Sequence, residues 1–300
     1  MNITNDLQAF VGLNMVPFLA ARKKHLLLKA FISPKKAWDA KRKDLERIEG
    51  LQRDDVELIL STKNKIDPKR EIKKAEKEDI KIITFRDTSY PKALSLISDP
   101  PLVLYVKGEV KETDRLSVGI VGSRMASDYG KRVTREFVSE LGKAGFTIVS
   151  GLAKGIDAEA HRTALKVGVR TLAVLGCGID VVYPEENRKL FSEIPSSGAI
   201  ISEFPFGTPP SKENFPQRNR IIAGLSLGIV VIEAAERSGA LITARLAIEE
   251  GREVFAVPGP ITSPLSCGTN KLIKDGAKLT DSSSEIIEEL GPMIEKVMEE

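Results

Sequence analysis

Cysteine, histidine and tryptophan are scarce in this 300-residue chain, at two, two and one. With only His25 and His161 present, a histidine-rich metal site is excluded. Cys177 and Cys267 sit in Gly-flanked loops, without the paired spacing of a zinc site or a disulfide framework. No metal or cofactor is expected, and the thiols fit a reducing cytoplasm. No apolar run approaches the length of a membrane span, and Met1 to Gln8 is polar, unlike a secretory leader. A cytoplasmic protein without membrane contact is expected. Charge of one sign is also lacking overall: 45 basic and 42 acidic residues leave a net +3, which by itself does not call for nucleic acid. The charges are unevenly placed, however. Arg22 to Lys43 holds nine Lys or Arg and one acid, Asp39, whereas seven acids and one Lys follow Thr280. A basic head and an acidic tail result; taken by itself, the head reads first as a solvated helix face.

Hydrophobic residues make up 42% of the chain, enough for a packed core. Residues 6–60 carry helical spacing (Leu7, Phe10, Val11, Leu13; Leu27, Leu28, Phe31; Ala37, Trp38; Leu45, Ile48, Leu51; Val56, Ile59) and read as a small helical module. Its Ile48-Glu49-Gly50-Leu51 faintly resembles the turn of helix-hairpin-helix DNA modules. The Lys- and Glu-rich stretch Lys63 to Lys81 reads as a solvated helix or linker, with a domain boundary there. Apolar strands are expected at Ile80 to Phe85, Leu102 to Val106, Val118 to Val121, Phe146 to Val149, Thr171 to Leu175, Ala199 to Ser202, Gly228 to Ile232 and Glu253 to Val257. From Val118 onward they alternate with helices near Asp128 to Ala144, after Asp157, Glu185 to Ile194, Arg218 to Ser226 and Gly239 to Glu250. Strands apolar throughout, alternating with helices, imply a parallel sheet covered on both faces. The expected fold class is α/β: an extended Rossmann-like, doubly wound, mostly parallel sheet over 76–281. A helical domain of sterile-alpha-motif or helix-hairpin-helix type over 1–75 precedes it, and a short acidic helix over 282–300 follows, interrupted at Gly291-Pro292.

The chain is organised around Ser150-Gly151-Leu152-Ala153-Lys154-Gly155-Ile156-Asp157, a strand-to-helix turn. Two glycines allow positive φ and close approach of a ligand. Free amides and the following helix N-terminus suit a phosphate. Lys154 adds positive charge, and Asp157 caps the helix from the side. A tight turn without a ligand is the alternative.

The other strand ends of the alternating region are decorated in the same manner: Gly122-Ser123-Arg124 before this turn, and after it Gly176-Cys177-Gly178, the loop with Lys212, Phe215, Arg218, Asn219 and Arg220, and Arg237-Ser238-Gly239. All should line one edge of the sheet. So many cations exceed the need of one phosphate and suit a row of them, as on a polynucleotide strand. Phe215, an aromatic among cations in a Pro-bounded loop, could stack an unpaired base or anchor the loop in the core. The spacing Gly-x-Gly-x-x-Gly is missing from the first turn, and Ser150-Gly151 stands where a ribose-binding acid would be expected, so a dinucleotide site is not expected. No Ser-His-Asp arrangement is visible, His161 reads as a packing or helix-surface residue, and Glu233 as a carboxylate that caps a helix or pairs with Arg.

Gly122-Ser123-Arg124, the Ser150 to Asp157 turn, Pro216-Gln217-Arg218-Asn219-Arg220-Ile221-Ile222-Ala223-Gly224 and Ser238-Gly239-Ala240-Leu241-Ile242-Thr243-Ala244, in this order, together resemble the DNA-processing protein A family. The resemblance covers about Ile80 to Thr280. It implies a non-enzymatic protein that binds and protects single-stranded DNA without base preference, forms homodimers and loads a RecA-type recombinase during natural transformation. Carried onto this chain, it assigns DNA contacts to Gly122, Ser123, Arg124, Ser150, Gly151, Leu152, Ala153, Lys154, Gly155, Lys212, Phe215, Arg218, Asn219, Arg220, Ser238 and Gly239. Arg124 and Lys212 would hold backbone phosphate and Phe215 would stack a base; Arg218 and Arg220 match the family's basic motif but could be structural. About twenty residues follow Thr280, too few for the winged-helix domain of many members, so no role of that domain is expected here. The competing reading is a nucleotide-processing enzyme similar to the lysine-decarboxylase-like phosphoribohydrolases. The segment Ser238 to Thr243 lacks their Pro-Gly-Gly-x-Gly-Thr signature.

Overall fold

A computed structural model describes residues 3–299. Six helices open the chain: α1 (Ile3–Asn14), α2 (Ala21–Phe31), α3 (Pro34–Asp39), α4 (Arg42–Leu45), α5 (Arg53–Lys63) and α6 (Pro68–Lys77). Strands β1 (Lys81–Thr84) and β2 (Val103–Gly108) flank the short α7 (Lys92–Ser95). The alternating region follows: β3 (Ser117–Val121), α8 (Asp128–Lys143), β4 (Thr147–Ser150), α9 (Ile156–Lys166), β5 (Thr171–Val174), α10 (Arg188–Glu193), β6 (Gly198–Ser202), α11 (Asn214–Leu225), β7 (Gly228–Val231), α12 (Gly239–Glu249) and β8 (Glu253–Ala256). The chain then adds α13 (Cys267–Lys274), β9 (Lys278–Leu279) and α14 (Ser283–Glu299).

The nine strands form one sheet in the order β1-β2-β6-β5-β4-β3-β7-β8-β9. From β6 to β9 all neighbours run parallel, while β1–β2 and β2–β6 are antiparallel. The expected α/β class and largely parallel sheet are what the chain adopts. The central strands bury every residue because both faces are covered. In β3, Val118 and Ile120 pack with α8, α9 and α14, while Val121 packs with α11 and α12 on the other face.

α6 ends three residues before β1 opens, yet one core joins the helical head to the sheet. Phe10, Leu13, Leu27, Leu45 and Ile59 pack in the same cluster as Tyr105, Ala173, Leu175 and Ile200. The charged stretch after Lys63 is anchored as well: α6 buries Glu71 and Ala75, and Glu71 accepts from the Phe206 amide at 2.8 Å. Five elements differ from expectation. α11 starts at Asn214 rather than Arg218, since Pro216 falls within its first turn, where no intrahelical donor is lost. α14 runs unbroken through Pro292. α13 and the two-residue β9 were not anticipated. The helix expected around Ile48 ends at Leu45, and Gly50, at φ +91°, makes the turn into α5.

Candidate nucleic-acid interface

Because β3 to β8 are parallel, the loops that follow them share the carboxyl edge of the sheet. Two of these loops are locked together. The Ile156 amide donates to the Ser123 carbonyl at 3.1 Å, and Gly155, at φ +74°, lies so close that a Cβ there would sit 2.2 Å from that oxygen. The Ser150 to Asp157 turn differs from expectation in how it is held. Gly151 is not in the left-handed region. Leu152 is, at φ +52°, its side chain fully buried and its carbonyl held by Asn187 Nδ2 at 3.0 Å. Asp157 turns back on the loop and accepts from the Gly151 and Ala153 amides at 3.1 and 3.4 Å. Part of the amide nest is therefore filled by the protein's own carboxylate. The amides of Leu152, Lys154 and Gly155 have no partner among the described residues.

The basic motif divides in two. Arg218 is buried, and its guanidinium donates to the Gly151 carbonyl at 2.5 Å, to the Val174 carbonyl, and from Nε to Asn219 Oδ1 at 3.1 Å. It is a strut tying the ends of β4 and β5, and it explains Gly151: a Cβ there would lie 2.6 Å from the guanidinium. Burial lowers its pKa to about 10, so it stays charged at neutral pH, supported by Asp157. Asp157 is in turn pushed up by burial, against the pull of Arg218 and the two amides. Arg220 lies apart, bound to Glu203 at 2.6 Å and 3.6 Å from Asp99. Arg220 and Asn219 are thus committed to the protein itself. Ser150 is likewise turned inward, its hydroxyl donating to the Ile120 carbonyl at 2.6 Å, and the Ser123 hydroxyl accepts from the Met125 amide of its own loop. Ser238 caps α12 by accepting from the Ala240 amide, with Gly239 exposed beside it, on the far side of β3 from the pocket described next.

Beneath Arg218, His161 is fully buried with Nδ1 2.7 Å from Thr171 Oγ1, and burial, then Arg218, lowers its pKa to about 3. Burial raises the Cys177 thiol to about 11, so it is neither thiolate nor nucleophile at neutral pH. Glu233 caps α8: it accepts from the Ser127 amide at 3.0 Å and hydroxyl at 2.5 Å. This fills the crevice between β3 and β7, where the strand order reverses and a doubly wound sheet ordinarily binds its ligand.

The open site lies over β4 and β5 instead. A pocket of about 40 Å³ is lined by Arg124, Lys154, Gly176, Tyr183, Phe215 and Arg218. Phe215 occupies the first turn of α11 rather than a free loop. Its ring lies against Gly176, where a Cβ would be 2.8 Å away, stacks on Tyr183 with centroids 5.8 Å apart and planes at 27°, and carries the Arg124 guanidinium 5.2 Å from its centroid. Arg124 and Lys212 are exposed, and Lys154 is ion-paired with Glu186. Tyr183, with Pro184 beside it, lines the pocket and was missed by sequence reasoning; it shares with Phe215 a Pro-containing loop after a strand but lacks the neighbouring cations that marked Phe215. The arrangement supplies cations at the mouth, unpaired amides beside them and an aromatic pair between. Among the described residues no cluster of three or more potential metal ligands occurs, and no helix is long and apolar enough to cross a membrane.

The sequence profile of a family described as DNA recombination-mediator protein A matches residues 81–291, which include every one of these loops. The chain belongs to that family. Protein Smf of Synechocystis is 42% identical over 270 residues, 88% of this chain and 68% of that protein. Protein Smf of Escherichia coli is 48% identical over 202 residues, 67% of this chain but 54% of its own length. The crystal structure of DNA processing protein A from Streptococcus pneumoniae superposes with a TM-score of 0.84 at 37% identity, covering 96% of this chain and 99% of that one. A structure of the Helicobacter pylori protein, concerned with its single-stranded DNA binding mode, matches with a TM-score of 0.63 at 34% identity over 70% of this chain and 95% of that one.

Proposed function

We propose that the protein binds single-stranded DNA across the carboxyl edge of its sheet, without base preference, and mediates recombination by protecting the strand and passing it to a RecA-type recombinase. The observation that carries this reading is the pocket itself, which places an aromatic pair, Phe215 and Tyr183, between exposed Arg124 and Lys154 beside unpaired amides. The Helicobacter pylori relative, which binds single-stranded DNA, supports the same ligand class here. The recombinase partner, a homodimeric state, a cytoplasmic location and a part in natural transformation follow from the family resemblance.

The free-state contacts are weak enough to exchange. A cation–π contact at an exposed site is worth about 0.5–1 kcal/mol, and a surface ion pair such as Lys154–Glu186 about 0–1 kcal/mol. A hydrogen bond to a charged group contributes about 1.5–3 kcal/mol. A phosphate therefore outcompetes Phe215 for Arg124 and Glu186 for Lys154. Moving Arg124 onto phosphate bares the Phe215 face for a base, so electrostatic capture and stacking are coupled. Base-edge readout has no part in this scheme, because every base offers a π-face.

A non-enzymatic role agrees with the engagement of the candidate acids and bases. Glu233 is taken by Ser127, Asp157 by two amides, and His161 is buried and neutral. Binding of single- against double-stranded oligonucleotides of graded length, at two salt concentrations, tests the proposal. Preference for single strands, weakening steeply with salt, is expected; equal binding of duplex, or tight mononucleotide binding alone, contradicts it.

A further inference from the structure

Helix α2 lies across the same edge of the sheet, beyond β6. Four contacts fix it there. Asn14, which ends α1, donates from Nδ2 to the Glu203 carbonyl at 2.8 Å, one residue past β6. Lys24 donates to the Asn14 carbonyl at 3.0 Å. His25 Nε2 is 2.9 Å from the Pro100 carbonyl, near the entry to β2, and Arg86, just past β1, donates to the Ile32 carbonyl at 2.7 Å. β2 enters, and β1 leaves, at the edge where β6 ends, because both pairings are antiparallel. The basic head thus packs against this rim of the sheet.

The connection between α1 and α2 buries Val16 and Leu19 but leaves Phe18 between them 93% exposed, at φ +59°. A non-glycine residue in the left-handed region is uncommon and persists when its neighbours hold it. Here Val16 and Leu19 clamp the backbone while the ring stands in solvent. Arg22, the second residue of the helix, and Lys29 in its last turn are exposed, and neither is in an ion pair among the described residues. An exposed aromatic followed by exposed cations pairs the same two chemistries as Phe215 and Arg124, except that Phe18 is free in solvent where Phe215 is half-buried.

We propose that the head carries a second nucleic-acid contact, in which a single strand leaving the Phe215 pocket continues past β6, stacks a base on Phe18 and lays its backbone along Arg22 and Lys29. This rests on the reading of the edge as a single-strand site and extends its path. The occupant is argued from charge complementarity and from the Asn14–Glu203 bond that joins this surface to the rim. A strand too short to span both sites does not reach the head, so the two are separable by length.

The test uses the full chain and labelled oligothymidylate of about six and about twenty nucleotides, bracketing common site sizes of about 4–16. Phe18→Ala and Arg22→Ala should leave the short strand unaffected and weaken the long one about tenfold, the scale of one lost base stack, with Phe18→Tyr restoring it. Both side chains are at the surface, so unchanged thermal unfolding accompanies the effect. Equal long-strand affinity in wild type and Phe18→Ala overturns the head contact and leaves Phe18 to a protein partner. Arg124→Ala separates the two ideas: it should weaken both lengths. Failure of the wild type to bind either length removes the edge reading itself.

Discussion

Arg124 and Arg218 both stand on the carboxyl edge of the sheet, counted alike among its cations in the sequence, and they do opposite things. Arg218 is buried, and its bonds to Gly151 and Val174 close the gap between β4 and β5. Arg124 is exposed, and its contact, the Phe215 ring, can be given up at little cost. A buried guanidinium with fixed carbonyl partners is architecture, whereas an exposed one with an exchangeable partner is free to receive a ligand. The charge is the same; the partner and the burial decide the role.

The largest effect is expected from the architectural side. Arg218→Met leaves Asp157 without its cation and two buried carbonyls without donors. Breaking a buried charged network in this way destabilises by about 3–5 kcal/mol, read as a lowered midpoint in chemical denaturation. A protein of unchanged stability that merely binds DNA more weakly would merge the two classes of arginine.

The same buried side predicts a pH dependence. His161 has a folded pKa near 3 against an ordinary 6.5, so the unfolded chain binds the extra proton between those values. Stability is fully present above 6.5 and falls as the pH drops toward 3. In His161→Asn part of that slope should vanish from denaturation midpoints collected across the window; an identical slope would place the acid sensitivity elsewhere.

On the exchangeable side, Phe215→Ala should lower single-strand affinity by about 1–3 kcal/mol, measured by anisotropy. The change should be similar for each homopolymer, since stacking carries it; a loss confined to one base would mean that the pocket reads sequence. The smallest effect is expected at Glu186, whose ion pair with Lys154 competes with phosphate. Glu186→Gln should tighten binding by up to about 1 kcal/mol, most visibly at low salt, and weaker binding would show that Glu186 assists rather than competes.

Much of this was legible in the residues. The all-apolar strands between Val118 and Val257 announced a parallel sheet, and the Gly-rich strand ends placed the site on its carboxyl edge. What was not legible was direction. Arg218, Asn219 and Arg220 are consecutive and all buried, each facing a different neighbour, so helical periodicity could not sort them. Asp157 was placed at a helix start, but its turn toward the Gly151 amide depends on a fold-back that spacing does not specify. The start of α11 was hidden because Pro209, Pro210 and Pro216 together resemble a loop. The two-residue β9, Lys278 and an exposed Leu279, is too short to show a strand pattern, and the docking of the head rests on long-range contacts, such as Asn14 to Glu203 and the shared core, that local spacing does not record.

The most direct measurement is the salt dependence of single-strand binding by wild type and by Arg124→Ala. A phosphate held by Arg124 predicts a steep fall of affinity with salt in the wild type, and in the variant a weaker affinity with the log–log slope reduced by about one. Superimposable curves for the two proteins would contradict it.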